Sequence, residues 1–172
     1  MLLATNRLAL RQMIEDDLPD VASMLQDPQA MTAYEGPFSD DEVRAWLDRQ
    51  LNNYAQDGFG LWAVTRDGEM IGQCGITWQI IDGICRPEIG WHIKRAHWHQ
   101  GYAVEAAAAC RDYGFNSLGF DELFAQVRDS NIASMNVAIR IGMTIRSRFT
   151  KTYRGVDMPH YAFSIRRDEP TH

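Results

Sequence analysis

Along this chain the apolar positions switch repeatedly between a spacing near two and a spacing near 3.6, so strands and helices are interleaved. Arg7 to Met13 alternates, with Leu8 and Leu10 on one face, and predicts a strand. Asp16-Asp17-Leu18-Pro19 then predicts a helix start, with an acidic cap and a proline in the first turn. Val21, Ala22, Met24 and Leu25 give that helix its apolar stripe, and Asp27-Pro28 ends it. Ser39-Asp40-Asp41-Glu42 has the capping-box order, in which Ser39 and Glu42 each satisfy an orphan N–H. The helix that follows carries Val43, Trp46, Leu47, Leu51 and Tyr54 and stops near Gly58.

Three strands come next, Phe59 to Arg66, Met70 to Ile80 and Cys85 to Ile93. Asp67-Gly68 and Asp82-Gly83 suit the positive-φ residues of two-residue hairpin turns. A helix is expected from about Gly101 to Ser117, a short buried strand from Leu123 to Val127, and a helix from Asn131 to Ile141 with Gly142 as its cap. Two strands close the chain, about Thr144 to Thr152 and Asp157 to Arg166, around a turn at Arg154-Gly155. Hairpins dominate the first half and helices separate strands only later, so the pattern predicts an α+β fold on a mixed sheet. There is no repeat or linker-like tract, which predicts one domain over 1–168 and a short tail at 169–172.

The totals narrow the function. With 172 residues, 45% hydrophobic and 23% charged, the composition is that of a soluble globular domain able to bury a core. A net charge of −6 argues against a general nucleic-acid or anionic-membrane binder and leans toward a cationic partner. Met1 to Arg7 is too short and too soon charged for a signal peptide, and no apolar run reaches membrane-spanning length, so a cytoplasmic protein is expected. Cys74, Cys85 and Cys110 are odd in number and widely spaced, read as reduced thiols, and give no metal-ligand signature. No Gly-Lys-Ser/Thr is present, which excludes a P-loop nucleotide hydrolase.

The most informative stretch runs from Glu88 to Ala106: a strand, a tight loop with one glycine, then the start of an alanine-rich helix. Such a loop aims several unpaired N–H groups at one spot in front of the positive end of the helix dipole, which is a site for a diphosphate. Lys94, Arg95, His97 and His99 form a basic run beside it, either local cations for that anion or a solvated loop face. The order Trp98-His99-Gln100-Gly101-Tyr102-Ala103, running into Val104-Glu105-Ala106, resembles the acetyl-CoA-binding motif of the GNAT N-acetyltransferases, Arg/Gln-x-x-Gly-x-Gly/Ala. It is most similar to the Rim-type branch, whose loop is often preceded by an aromatic residue and followed by Gly-Tyr-Ala-x-Glu-Ala. Asn131-Ile132-Ala133-Ser134 with Ile141-Gly142-Met143 resembles that branch's second block, in the expected order and separation.

The resemblance implies a sheet of about seven mostly antiparallel strands, flanked by about four helices and splayed open for acetyl-CoA. It implies that Trp91, His92 and Ile93 run beside the pantetheine, that the amides of His99, Gln100, Gly101, Tyr102 and Ala103 take the diphosphate, and that Trp98 flanks them. Asn131 would bond the pantetheine amide, or serve as a helix N-cap, or both. Glu88 is the candidate base, against a strand-end salt bridge with Arg86 or a surface partner, and His92 is a second candidate, against a structural histidine. Many members draw a leaving-thiolate proton from a tyrosine seven residues after the motif asparagine. Ala138 stands there in this chain, so the role passes to Ser134, against an ordinary first-turn serine. Tyr34 and Glu35 fall in the loop that lines the acceptor side of the cleft in this fold, or in an ordinary exposed loop. The implied activity is transfer of an acetyl group from acetyl-CoA, without a metal, to a primary amine on a small molecule or a protein N-terminus, by a protein often dimeric. The alternative is an acyl-CoA-binding module without turnover.

Overall fold

The computed structural model describes residues 2–169 and consists of one eight-stranded sheet with two helices against each face. In chain order the strands are β1 (Leu3–Ala4), β2 (Ala9–Arg11), β3 (Leu61–Arg66), β4 (Glu69–Ile81), β5 (Ile84–Ile93), β6 (Glu122–Arg128), β7 (Thr144–Tyr153) and β8 (Val156–Arg166). The helices are α1 (Leu18–Leu25), α2 (Asp40–Asp57), α3 (Tyr102–Asn116) and α4 (Ile132–Arg140). Spatial order is β1-β2-β3-β4-β5-β6-β8-β7. Every recorded pairing is antiparallel except β5 with β6.

The mixed sheet and the four helices match the sequence reading, and the strand count exceeds it by one. β1 is two residues long, too short to show a period, and pairs Leu3 with Leu10. The strand expected from Arg7 shrinks to Ala9–Arg11, because Thr5 and Leu8 close a turn through Thr5 N–H to Leu8 O at 2.9 Å. Of the tail expected at 169–172, Glu169 accepts from Arg146 at 2.6 Å and residues 170–172 lie outside the described residues.

Alternation along β3 builds both halves of the core. Leu61 and Ala63 face Val21, Met24 and Leu25 of α1 with Val43 and Leu47 of α2. Trp62 and Val64 face α3 and α4 on the other side. α3 lies close to the sheet because its inner positions are small: Ala106, Ala107, Cys110 and Gly114 are buried. A Cβ on Gly114 would stand 2.8 Å from both Ile76 and Leu123, so only glycine permits that approach. The hairpin turns are left-handed pairs as expected, Asp67 and Gly68 at φ 51° and 87°, Asp82 and Gly83 at 50° and 77°. The box on α2 closes both ways, Ser39 Oγ accepting from Glu42 N and Glu42 Oε2 from Ser39 N at 2.8 Å. No helix among the described residues is long and apolar enough to cross a membrane.

Candidate active site

The site begins where the sheet fails to close. β4 and β5 pair without a break from Gly72↔Ile93 to Ile81↔Ile84, whereas parallel β5 and β6 meet only at Glu88↔Phe124. Beyond that point the strands part and leave a cleft of about 890 Å³, a volume in the usual range for a small-molecule site. Hydrogen bonding alternates along an antiparallel ladder, and Lys94 N donates to Ile71 O at 2.8 Å, so His92 and Gly90 turn their amides toward β4. The amides of Trp91 and Ile93 therefore face the gap. The indole Nε1 of Trp98, from the turn that follows β5, donates to Ile93 O at 2.7 Å.

Glu88 sits at the fork. Its carboxylate accepts from Gln126 N at 3.2 Å and from Gln126 Nε2 at 3.1 Å, so the side chain clasps β6 at the last point where the strands touch. The expected alternative of a bond to Arg86 is not what forms; Arg86 stacks its guanidinium over Phe124 instead, 4.7 Å from the ring centre. Burial pushes the Glu88 pKa up, opposed by the two Gln126 bonds and the nearby Lys151 charge. What solvent reaches Glu88 comes through the cleft, since the strands wall it on both sides.

His92 lies one turn of the ladder further in, with both nitrogens engaged. Trp46 Nε1, which can only donate, gives its hydrogen to Gln73 Oε1 at 3.1 Å. That fixes the Gln73 amide, whose Nε2 must donate to His92 Nδ1 at 3.1 Å. The ring hydrogen then sits on Nε2 and is donated to the Tyr34 hydroxyl at 3.1 Å. Burial lowers the His92 pKa to about 4, so the ring is uncharged at neutral pH. With Nδ1 occupied, His92 has no lone pair turned to the cleft, which argues against its use as a base.

The loop from Trp98 into α3 fans out its amides. The first bond of the helix runs from Glu105 N to Gly101 O at 3.1 Å, and the N–H groups of His99, Gln100, Gly101, Tyr102, Ala103 and Val104 meet no acceptor among the described residues. Gly101 is the N-cap, at φ 79°. A Cβ there would meet nothing closer than Arg7 Nη2 at 3.5 Å, so backbone conformation, not crowding by the protein, demands glycine. His99 is left-handed too, at φ 60°, a conformation a histidine holds at a cost of about 1–2 kcal/mol. Left-handed residues set among extended and helical ones curl successive N–H groups into one concavity, the geometry of an anion nest.

The basic run has a role that neither sequence reading anticipated. Lys94 Nζ is 2.6 Å from Asp20 and Arg95 Nε 2.8 Å from Asp27, so both cations are spent pinning the loop to α1 and the segment after it. Glu105 anchors the other side, accepting from Thr5 Oγ1 at 2.6 Å and Arg7 N at 2.9 Å. Burial opposes its ionisation, yet the Thr5 and Arg7 bonds outweigh that and hold its pKa below the usual value.

Of the other expected residues, Tyr34, Asn131 and Ser134 line the cleft, whereas Glu35 and Gln100 do not. Glu35 turns outward at φ 59° and pairs with Arg128 at 2.5 Å, and the Gln100 carbonyl accepts from Arg7 at 3.0 Å while its N–H stays in the amide fan. Asn131 caps α4 by accepting from Ser134 N at 3.1 Å, which leaves its amide NH₂ for other partners. Ala138 is fully buried in the core and offers no proton. Sequence reasoning missed Gln73, Gln126, Lys151 and Arg7. Gln73 and Gln126 carried a readable signal, since each is a lone polar residue inside an apolar strand run.

Comparison with known proteins agrees with this geometry. The acetyltransferase (GNAT) domain profile matches residues 7–144. The Bacillus subtilis (strain 168) protein YkkB, itself uncharacterized, is 39% identical over 160 residues, covering 91% of each chain. The FsC-acetyl coenzyme A-N(2)-transacetylase of Aspergillus fumigatus is 28% identical over 187 residues, covering 97% of this chain and 77% of its own. An acetyltransferase from Agrobacterium tumefaciens str. C58 superposes with a TM-score of 0.82 at 28% identity, covering 96% and 94% of the two chains. With a matching domain over most of its length, a sheet that opens at Glu88 and a fan of free amides ahead of α3, the chain belongs to the GNAT acetyltransferases and is an acetyl-CoA-dependent N-acetyltransferase.

Proposed function

We propose that the protein moves the acetyl group of acetyl-CoA to a primary amine by direct attack, with no covalent acetyl-enzyme stage, in the manner of the Rim-type branch. The observation that carries this reading is the fork at Glu88: one carboxylate, two unpaired strand amides and an anion nest open into the same cleft. Free amides from His99 to Ala103 hold the diphosphate at the helix dipole. Trp91 and the Asn131 amide bond the pantetheine arm. Asn131 can do so while capping α4, because the cap uses only its oxygen.

A thioester arrives activated, so what the protein must supply is placement, charge stabilisation and proton removal. Holding the amine against the thioester carbon can contribute up to about 7–11 kcal/mol. The gap-facing amide of Trp91 or Ile93 stabilises the charge that develops on the carbonyl oxygen. Glu88 takes the amine proton, directly or through a water. Its raised pKa brings it nearer the working pH, which favours a base that must first gain and then release a proton. Ser134, whose hydroxyl is committed to no partner among the described residues, protects the leaving thiolate with a proton.

The test is a coenzyme A titration followed by thiol release with a panel of amines. Saturable binding and amine-dependent thiol release support the reading. Indifference to coenzyme A refutes the nest and everything built on it. Tight binding with no release on any amine supports instead a module that holds acyl-CoA without turning it over.

A further inference from the structure

We infer that the amine acceptor carries an anionic group beside its amine, in the manner of an aromatic or apolar α-amino acid, and that Arg49 and the Tyr34 hydroxyl hold that anion. The inference rests on the acetyltransferase reading above and concerns the acceptor half of the same cleft.

The polar groups left uncommitted there are mostly donors. Tyr34 accepts from His92 Nε2–H, a direction set at the far end of the chain by the Trp46 indole, so its own O–H is the free member. No acceptor among the described residues takes that hydrogen. Arg49, on the exposed face of α2, lines the cleft with its guanidinium 5.0 Å from the Trp46 ring centre and pairs with no carboxylate among the described residues. Lys151 makes only a long bond, 3.4 Å to Gln126 Oε1, and its charge is felt by Glu88.

Acceptors are scarce by comparison. Two carboxylates line the cleft, Glu42 and Glu88. Glu42 is neutralised by the Arg154 cation at 2.6 Å, whereas Glu88 takes only the neutral donors of Gln126, which leaves Glu88 as the carboxylate with no cation bonded to it when an amine arrives. A polyamine, which brings several cations and no acceptor, would meet a single countercharge against the cations Arg49 and Lys151, with Arg140 a third along the same lining. An amine with an adjacent carboxylate satisfies Glu88 at one end, and Arg49 with the Tyr34 hydroxyl at the other. Arg49 and Tyr34 belong to one ring cluster: the Arg49 guanidinium lies over Trp46, the Trp46 ring centre is 5.8 Å from that of His92, and His92 Nε2 meets the Tyr34 hydroxyl at 3.1 Å. The walls between them are aromatic: Tyr34 packs edge-on against Phe38 and Tyr153, with ring centres 6.0 and 6.4 Å away, and Phe38 against Trp46 at 5.9 Å. A flat or apolar side chain fits such walls. The cationic acceptor suggested by the net charge is thereby replaced.

The test uses pairs of ligands that differ only in the carboxylate: L-phenylalanine with phenethylamine, L-tryptophan with tryptamine, and spermidine as the polycation. Binding to the coenzyme A-saturated protein is read by calorimetry and turnover by thiol release. The carboxylated member of each pair should lead by about tenfold or more, the scale of one charge-assisted hydrogen bond. Arg49→Gln should reduce that lead to near unity while leaving coenzyme A affinity within about twofold, since a lost guanidinium bond acts only on the anion. Equal or better binding of phenethylamine, tryptamine or spermidine overturns the proposal, as does a lead that survives Arg49→Gln, or the failure of both amino acids to bind. A protein that does not bind coenzyme A fails at the earlier step, and that result tells against the acetyltransferase reading.

Discussion

Replacing Glu88 by glutamine separates the chemistry of the fork from its architecture. The wild-type carboxylate accepts two bonds from Gln126, at 3.2 and 3.1 Å. In Glu88→Gln the new amide oxygen keeps the bond from Gln126 N, but its NH₂ faces the NH₂ of Gln126. Turning the Gln126 amide over restores that bond and gives up the 3.4 Å contact with Lys151. One weak contact is exchanged and a disfavoured buried charge is removed, so stability should change by no more than about 1 kcal/mol. The rate should fall far more, by about 10²–10⁴ for loss of a positioned base, or about 3–5 kcal/mol of barrier. Coenzyme A affinity should hold, because the amide fan and Asn131 are untouched. Thiol release at saturating substrates, read across pH beside urea denaturation, tests all three. Wild-type turnover should fall as pH drops, with its midpoint above the ordinary carboxylate value of 4.5 because burial raises the Glu88 pKa, and the variant should lose that limb. A variant within fivefold of wild type, or one with an unchanged pH limb, refutes Glu88 as the base. A rate loss matched by unfolding would make it a strut.

His99→Gly should leave stability unchanged or raise it by up to about 1 kcal/mol, since the left-handed cost at φ 60° is relieved and partly offset by glycine's chain entropy; a clear drop in urea midpoint would show that the imidazole makes a stabilising contact. Ser134→Ala should slow turnover more than it weakens acetyl-CoA binding, and equal losses in kcat and affinity would leave Ser134 a binding residue only. Glu105 has a folded pKa below its usual value, so its contribution is present above that usual value and is lost as pH falls through the folded one. Glu105→Gln should therefore melt lower than wild type at pH 7 and converge with it in acid, and a constant gap in Tm across that range would contradict the linkage.

The sequence disclosed the parts of the fold governed by local chemistry. Ser39 with Glu42, Asp67-Gly68, Asp82-Gly83 and Gly142 each act through near neighbours, so the elements they bound could be placed by reading along the chain. The loop at Gly101 was legible for the same reason: a left-handed glycine before a helix is a local requirement. What stayed hidden depends on residues far apart. Arg7 meets Glu105 across 98 positions, and Gln126 meets Glu88 across 38. Lys94 and Arg95 read either as cations for a phosphate or as a solvated face, because their partners, Asp20 and Asp27, lie on a distant part of the chain. Polarity inside an apolar strand was the one available hint at long range. Gln73 and Gln126 each bond a side chain that lines the cleft, His92 in one case and Glu88 in the other.

The same distinction between local and distant governs how far the net charge of −6 reaches into the cleft. An incoming amine feels the whole molecule only at long range, and at physiological salt exposed charges are largely screened beyond about 8 Å. Within the cleft it meets the nearest groups, and the surplus of acids is largely irrelevant there because Glu35, Glu42, Asp20 and Asp27 are each closed by a lysine or arginine. Two of those pairs flank Tyr34: Arg128 ties down the segment between α1 and α2 through Glu35, and Arg154 ties the first turn of α2 through Glu42. Cutting both ties at once should loosen that segment, so Glu35→Gln with Glu42→Gln should raise KM for the amine while sparing coenzyme A affinity. The opposite pattern, weaker coenzyme A with an unchanged amine KM, would mean that the charges bear on the cofactor half of the cleft.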